Sequence, residues 1–442
     1  MLIAHQFQLP RTHNLLRFLS VSAPLRETFV TLAISSLSFL GQMAYAENWE
    51  RFRGPNGAGQ GSGDAIPSEW AAEDCLWRRE LPGAGHSSPV IWEGRLFVTA
   101  GDPASGEQIV MAFDAATGEP AWEKRFASGT HDMHADNSYA TSTPAVDAER
   151  LYLLSLDGNR VMLTALSHEG AELWRRQVGE LDEKHGYGTS PIVVGDVVFV
   201  VNETDDSHQS TVVGVDRTTG EVRWTIPRGA GKTSYATPFV MTAADGRELV
   251  VMSSMGSGVT AYDPVTGKIE WQVLEQDLPD RCVSSPIVAG GNVIVSCGSG
   301  NNGMHLIALR PGENGGPPQE VYRLRQGVPN IPTPIAVGNL LFLWHDRGTV
   351  ACLDASTGEQ KWRNRVGGHF HSSPVLVGDR IFGISKAGDV VVITAGDEFE
   401  LLGRSSLDDT CQATPAVADG RMVFRTESGL VCVGQPADEQ KN

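Results

Sequence analysis

Cysteine is scarce in this chain. The six cysteines among 442 residues, at 75, 282, 297, 352, 411 and 432, include neither an adjacent pair nor a Cys-x-x-Cys spacing. They read as small buried side chains, and Cys282 and Cys297, which flank one predicted hairpin, are the pair best placed to bridge. Basic residues are also few. Thirty-five Lys and Arg stand against 53 Asp and Glu, giving a formal charge of −18 with no basic block, which argues against nucleic acid and anionic membrane surfaces as partners. Long apolar runs are missing as well: the longest, "TFVTLAISSLSFLG" at 28–41, falls short of the roughly 20 residues that a membrane-spanning helix needs. Arg11, Arg17 and Arg26 precede that run and Ala44-Tyr45-Ala46 closes it, so residues 1–46 read as a secretory signal cleaved after Ala46. Cleavage would remove three arginines and one glutamate and take the charge to −20. No cysteine follows the cleavage point, so a lipoprotein anchor is not indicated. The mature chain is expected to be soluble, without a transmembrane segment, and periplasmic or extracellular.

Repetition is abundant. The phrase "DAATGEPAW" at 114–122 returns as "DRTTGEVRW" at 216–224, "DPVTGKIEW" at 263–271 and "DASTGEQKW" at 354–362. A phrase repeated at fixed spacing builds a scaffold, whereas catalytic side chains are usually placed once. A second element, Ser/Thr-Pro followed by two apolar runs around a tight turn, recurs eight times, at Pro89, Pro144, Pro191, Pro238, Pro286, Pro334, Pro374 and Pro415. Each copy predicts a hairpin, and the nine-residue phrase supplies a second hairpin through its Thr-Gly turn. Four short antiparallel strands recurring every 40–55 residues describe an all-β, eight-bladed propeller. The fourth strands carry Trp77, Trp122, Trp174, Trp224, Trp271, Tyr322 and Trp362, with Leu402 in a degenerate copy, and these aromatics are expected to pack between blades. Trp77 belongs to a fourth strand with no first three before it, and the last unit lacks a fourth. The N-terminal strand should therefore close the ring. The resulting organisation is a signal over 1–46, an extended segment over 47–70, the propeller over 71–434 and a polar tail over 435–442.

The Asp-x-x-Thr-Gly-x-x-x-Trp phrase and the Ser/Thr-Pro strand resemble the pyrroloquinoline-quinone-like β-propeller repeat family across about residues 71–434. That family includes quinoprotein alcohol dehydrogenases and the propeller lipoprotein of the outer-membrane assembly machinery. The resemblance implies two functions of different class. One is a non-catalytic exported platform for a protein, peptide or small ligand. The other is a dehydrogenase using pyrroloquinoline quinone (PQQ) with calcium. The dehydrogenases of the family are longer and carry an adjacent cysteine pair, which this chain lacks, so the binding platform is the reading adopted, with no cofactor expected.

Function should sit where the copies differ. The eight connectors between blades converge on the channel mouth just before each Ser/Thr-Pro step. They bring His86, Asn137, Tyr139, His185, Tyr187, Tyr235, Arg281, Asn330, His369, His371, Cys411 and Gln412 there, a lining suited to a ligand or peptide. The same polar residues could simply satisfy one another around a wet axis. Binding is expected to change between about pH 5 and 8, where histidine charge changes. His131, His134 and Asp136 in "HDMHADN" are weak candidates for a divalent metal; the spacing matches no established motif, and a solvated loop is the stronger reading.

Overall fold

The computed structural model describes residues 47–436 except 64, 182–184, 206–209, 230–231, 275–276, 300–302 and 313–315. The signal expected over 1–46 and residues 437–442 of the polar tail lie outside the described residues. Thirty-two of the described strands form eight four-stranded antiparallel blades, and the molecule is an eight-bladed β-propeller. Blades 1 to 7 run over 90–126, 145–180, 192–227, 239–273, 287–324, 335–365 and 375–406. Blade 8 combines Ala416–Ala418, Arg421–Arg425 and Gly429–Gly434 with Trp77–Glu80, whose register runs from Trp77 opposite Cys432 to Glu80 opposite Gly429. The ring therefore closes through its N-terminal strand, which covers the edge that Gly429–Gly434 would otherwise expose.

The repeated phrase is explained by how neighbouring blades meet. The carboxylate of Asp114 accepts the amides of Ala116 and Thr117, at 3.0 and 2.8 Å, and Asp216, Asp263 and Asp354 do the same in their own turns. The turn presents a glycine with positive φ to the preceding blade's aromatic. A Cβ on Gly267 (φ 74°) would stand 2.6 Å from the Trp224 ring, and Gly118, Gly170, Gly220 and Gly358 face Trp77, Trp122, Trp174 and Tyr322 in the same way. Each of these aromatics then donates to a carbonyl of that neighbour, as Trp224 Nε1 does to Pro264 O at 3.1 Å. Asp, Gly and Trp are thus three parts of one blade-to-blade joint.

The Ser/Thr before each proline has its own task, invisible in the sequence. The amide of Ser88 donates to Thr143 Oγ1 of the next blade at 2.9 Å, and the amides of Thr143, Thr237, Ser285, Thr333 and Ser373 continue the pattern at 3.0 Å each. These links tie neighbouring innermost strands together at six of the eight blade-to-blade steps.

Residues 47–61, read from the sequence only as an extended segment, cross the channel and close one end of it. The inner strand of every blade is a sheet edge with unpaired backbone groups, and this segment satisfies many of them. Trp49 exchanges two backbone bonds with Ile91 of blade 1, Val146 of blade 2 donates to Glu50 O at 2.8 Å, and Leu376 of blade 7 donates to Gly59 O at 2.8 Å. The Asn56 amide pairs with both backbone groups of Val240 in blade 4, and Arg53, fully buried, donates to Thr333 O and Pro334 O of blade 6 at 2.8 and 3.0 Å. Cys282 and Cys297, the pair expected to bridge, are instead two free, buried thiols in mutual hydrogen-bond contact; this contact, and then burial, raise the Cys282 pKa.

Candidate binding site at the channel mouth

With one end plugged, the channel becomes a cup of about 450 Å³ that opens toward the connectors. Phe52 of the plug enters its lining, and Thr143, Ser190, Thr237, Ser285, Thr333, Ser373 and Thr414 of the Ser/Thr-Pro steps supply its wall. Of the residues expected at the mouth, His86, Asn137, His185, Tyr235, Arg281, Asn330, His371 and Gln412 line the cup. Tyr139, Tyr187, His369 and Cys411 do not. The Tyr187 hydroxyl turns into the blade and donates to Val201 O at 3.0 Å, and Tyr139 stands edge-on to His131 with ring centres 4.9 Å apart. Cys411 is buried with its thiol on Arg425 O, and His369 is exposed outside the cup. Connector position alone could not separate these from the rest, because alternate residues of an extended connector point opposite ways.

Sequence reasoning missed Phe52, which lies outside the repeats, and weighed His134 and Asp136 only as metal ligands. Both line the cup. Among the described residues no cluster of three or more His, Cys, Asp or Glu is arranged to hold an ion, and His131 is turned toward Tyr139. Among the described residues lining the cup Asp136 is the sole carboxylate, and its Oδ1 lies 2.6 Å from Lys386 Nζ. Calcium takes six to eight oxygen ligands, commonly with several carboxylates, and the described lining offers one.

The histidines form a defined network. Gln412 Nε2 lies 3.1 Å from His86 Nε2 and its Oε1 lies 2.7 Å from His371 Nδ1, so the amide donates to one imidazole and accepts from the other. The His86 ring also hydrogen-bonds the Asp136 carbonyl. Burial, with the Arg425 guanidinium nearby, drives the His86 pKa down to about 4, and burial lowers that of His371. Burial keeps His86 neutral from pH 5 to 8, so any pH dependence of binding in that window rests on the other histidines. A measurable consequence concerns stability. The unfolded chain protonates His86 near pH 6.5 while the folded chain resists to about 4, so its stabilisation is complete above pH 6.5 and is lost as pH falls toward 4. The shift corresponds to about 3 kcal/mol. The variant His86→Asn should lose less stability than the parent between pH 6.5 and 4.5 in denaturant titrations; parallel curves would contradict this.

Comparison with known proteins follows this geometry. The sequence profile of the family described as "Outer membrane protein assembly factor BamB" matches residues 68–240, 163–314 and 319–399. This chain belongs to the BamB family. The BamB of Shewanella oneidensis is 26% identical over 363 residues, covering 78% of this chain and 83% of that one, and the BamB of Burkholderia pseudomallei is 25% identical over 362 residues, covering 79% and 84%. The crystal structure of BamB from Moraxella catarrhalis superposes with a TM-score of 0.57 at 17% identity, covering 82% of this chain and 98% of that chain. A europium-containing methanol dehydrogenase gives 0.60 at 13% identity, covering 87% and 90%. At such identities the structural matches establish the propeller fold and leave the chemistry to the site.

Proposed function

We propose that this BamB-family chain is an exported, non-catalytic propeller that captures a polypeptide partner over the cup. The observation carrying this reading is the one-ended channel: the plug closes one face, and eight unlike connectors surround an opening of about 450 Å³ on the other. The opposite face is plain, because the first-to-second strand turns of blades 1, 3, 5, 6, 7 and 8 hold two residues each and the Thr-Gly turns repeat one another. The curated relatives are named as outer membrane protein assembly factors, which supports a protein as the partner. Among the described residues no helix is long and apolar enough to cross a membrane, and the leader-like residues 1–46 support export. The dehydrogenase reading draws on the shared fold alone.

The test is photo-crosslinking in intact cells with a benzoylphenylalanine placed at Tyr235 in the cup or at Glu359 on a plain-face turn. A discrete polypeptide adduct from position 235 and none from 359 is the expected result. Adducts from 359 alone would refute the proposal.

A further inference from the structure

The connector between blades 1 and 2 is the longest of the eight, with eighteen residues between Phe126 and Ala145 against nine to thirteen in the others. Long ordered connectors in a compact fold usually have a task of their own. Part of this one is anchored close to home. The amide of His134 donates to His185 O at 3.2 Å, Asn137 Nδ2 donates to the same carbonyl at 2.6 Å, and the His134 and His185 rings stack with centres 5.9 Å apart. Between these anchors Asp136 reaches blade 7, two blades from blade 1 around the ring. Its Oδ1 lies 2.6 Å from Lys386 Nζ and 3.9 Å from His371 Nδ1. Its own carbonyl is bonded by the His86 ring.

A carboxylate from a remote part of the chain therefore meets Lys386 at the rim of the cup, beside His371. Lys386 carries the charge, and His371, fixed by Gln412, stands beside it. Of the other nearby carboxylates, Glu427 lies 3.8 Å from His86, and Asp346, whose charge also reaches His371, is engaged by the amides of Asn330 and Ile331 at 2.8 and 3.1 Å. The Asp136–Lys386 pair is only a weak latch. Its side chains are 40% and 35% exposed, and ion pairs so hydrated hold by about fivefold at most.

We propose that Lys386 and His371 form the seat for an acidic side chain of the captured polypeptide, and that Asp136 holds this seat until the incoming Glu or Asp displaces it. The proposal rests on capture at the cup and specifies the partner's chemistry. A side chain on a peptide segment fits better than a free acid because the present occupant is itself one, presented by backbone that bonds to the rim on both sides. On displacement the proton inventory is unchanged. One carboxylate replaces another on the same ammonium, and the connector is released from blade 7.

The test uses the purified chain and three synthetic hexapeptides: one with two glutamates and both ends capped, its glutamine twin, and the glutamine peptide with a free C-terminal carboxylate. Calorimetric titration is expected to show binding of the glutamate peptide, about fivefold tighter to Asp136→Asn and at least fivefold weaker to Lys386→Gln, with the glutamine twin unaffected by either change. All three proteins should melt together, since both side chains are half-exposed. No gain in Asp136→Asn, an equal gain for the glutamine twin, or a preference for the terminal carboxylate would each overturn the acidic side-chain seat. Crosslinks from position 235 that persist alongside such a result would locate the failure in the seat and leave capture at the cup standing.

Discussion

A chain lacking residues 47–80 is expected to be aggregated or unfolded at room temperature. The deletion removes the fourth strand of blade 8, so Gly429–Gly434 becomes an open edge, and it lifts Trp77 from Gly118 at the joint with blade 1. It also strips the plug from the inner strands, exposing the backbone edges that Trp49, Glu50, Asn56 and Gly59 had satisfied and withdrawing the buried Trp49 and Arg53. The open blade edge, the lost Trp77 joint and the lost packing of the plug together approach the roughly 5–15 kcal/mol that holds a typical domain together. Size-exclusion chromatography and a thermal melt measure the outcome. A monomer with the parental melting curve would contradict ring closure through the N-terminal strand. Deleting 47–61 alone spares Trp77–Glu80 and should leave a folded but less stable ring, with the cup opened at its far end.

The second large effect concerns the joint between blades 3 and 4. Trp224→Ala should destabilise by about 3 kcal/mol through lost packing on the Thr-Gly turn and the lost bond to Pro264 O. Gly267→Ala should cost about 1–2 kcal/mol for its left-handed backbone alone, and more because the new methyl meets the indole at 2.6 Å. The two changes should not add, since the alanine in place of Trp224 removes the clash that the methyl at 267 creates. Chemical denaturation of the four members of this cycle reads the coupling; strict additivity would show that ring and glycine do not meet. Neither variant should alter what the cup binds.

The propeller was legible in the sequence because its determinants are repeated. Four copies of one Asp, Thr, Gly and Trp pattern and eight Ser/Thr-Pro steps report the blade count, and the unpaired Trp77 strand reports the closure. The plug was not legible for the converse reason. Trp49, Arg51, Phe52 and Arg53 occur once, and their partners lie up to 281 residues away on blades that no periodicity links to them. At the mouth the sequence indicates which segments arrive, but not which side chains turn inward. Tyr235, the third residue before its proline, faces the cup, whereas Tyr187, the fourth before its own, bonds inside its blade. Asp136 shows the same limit from another side. Beside His131 and His134 it resembles a metal ligand, and only the folded ring brings Lys386 to it from 250 residues away.

The measurement that bears most directly on the central claim is hydrogen exchange of the full chain with and without the polypeptide recovered in the crosslinked adduct. Protection is predicted in the connectors at 131–137, 185–188, 233–236, 281–283 and 369–371, with the Thr-Gly turns at 117–119 and 357–359 unchanged. Protection confined to those turns, with the connectors exchanging as in the free protein, would place the partner on the plain face and contradict the account.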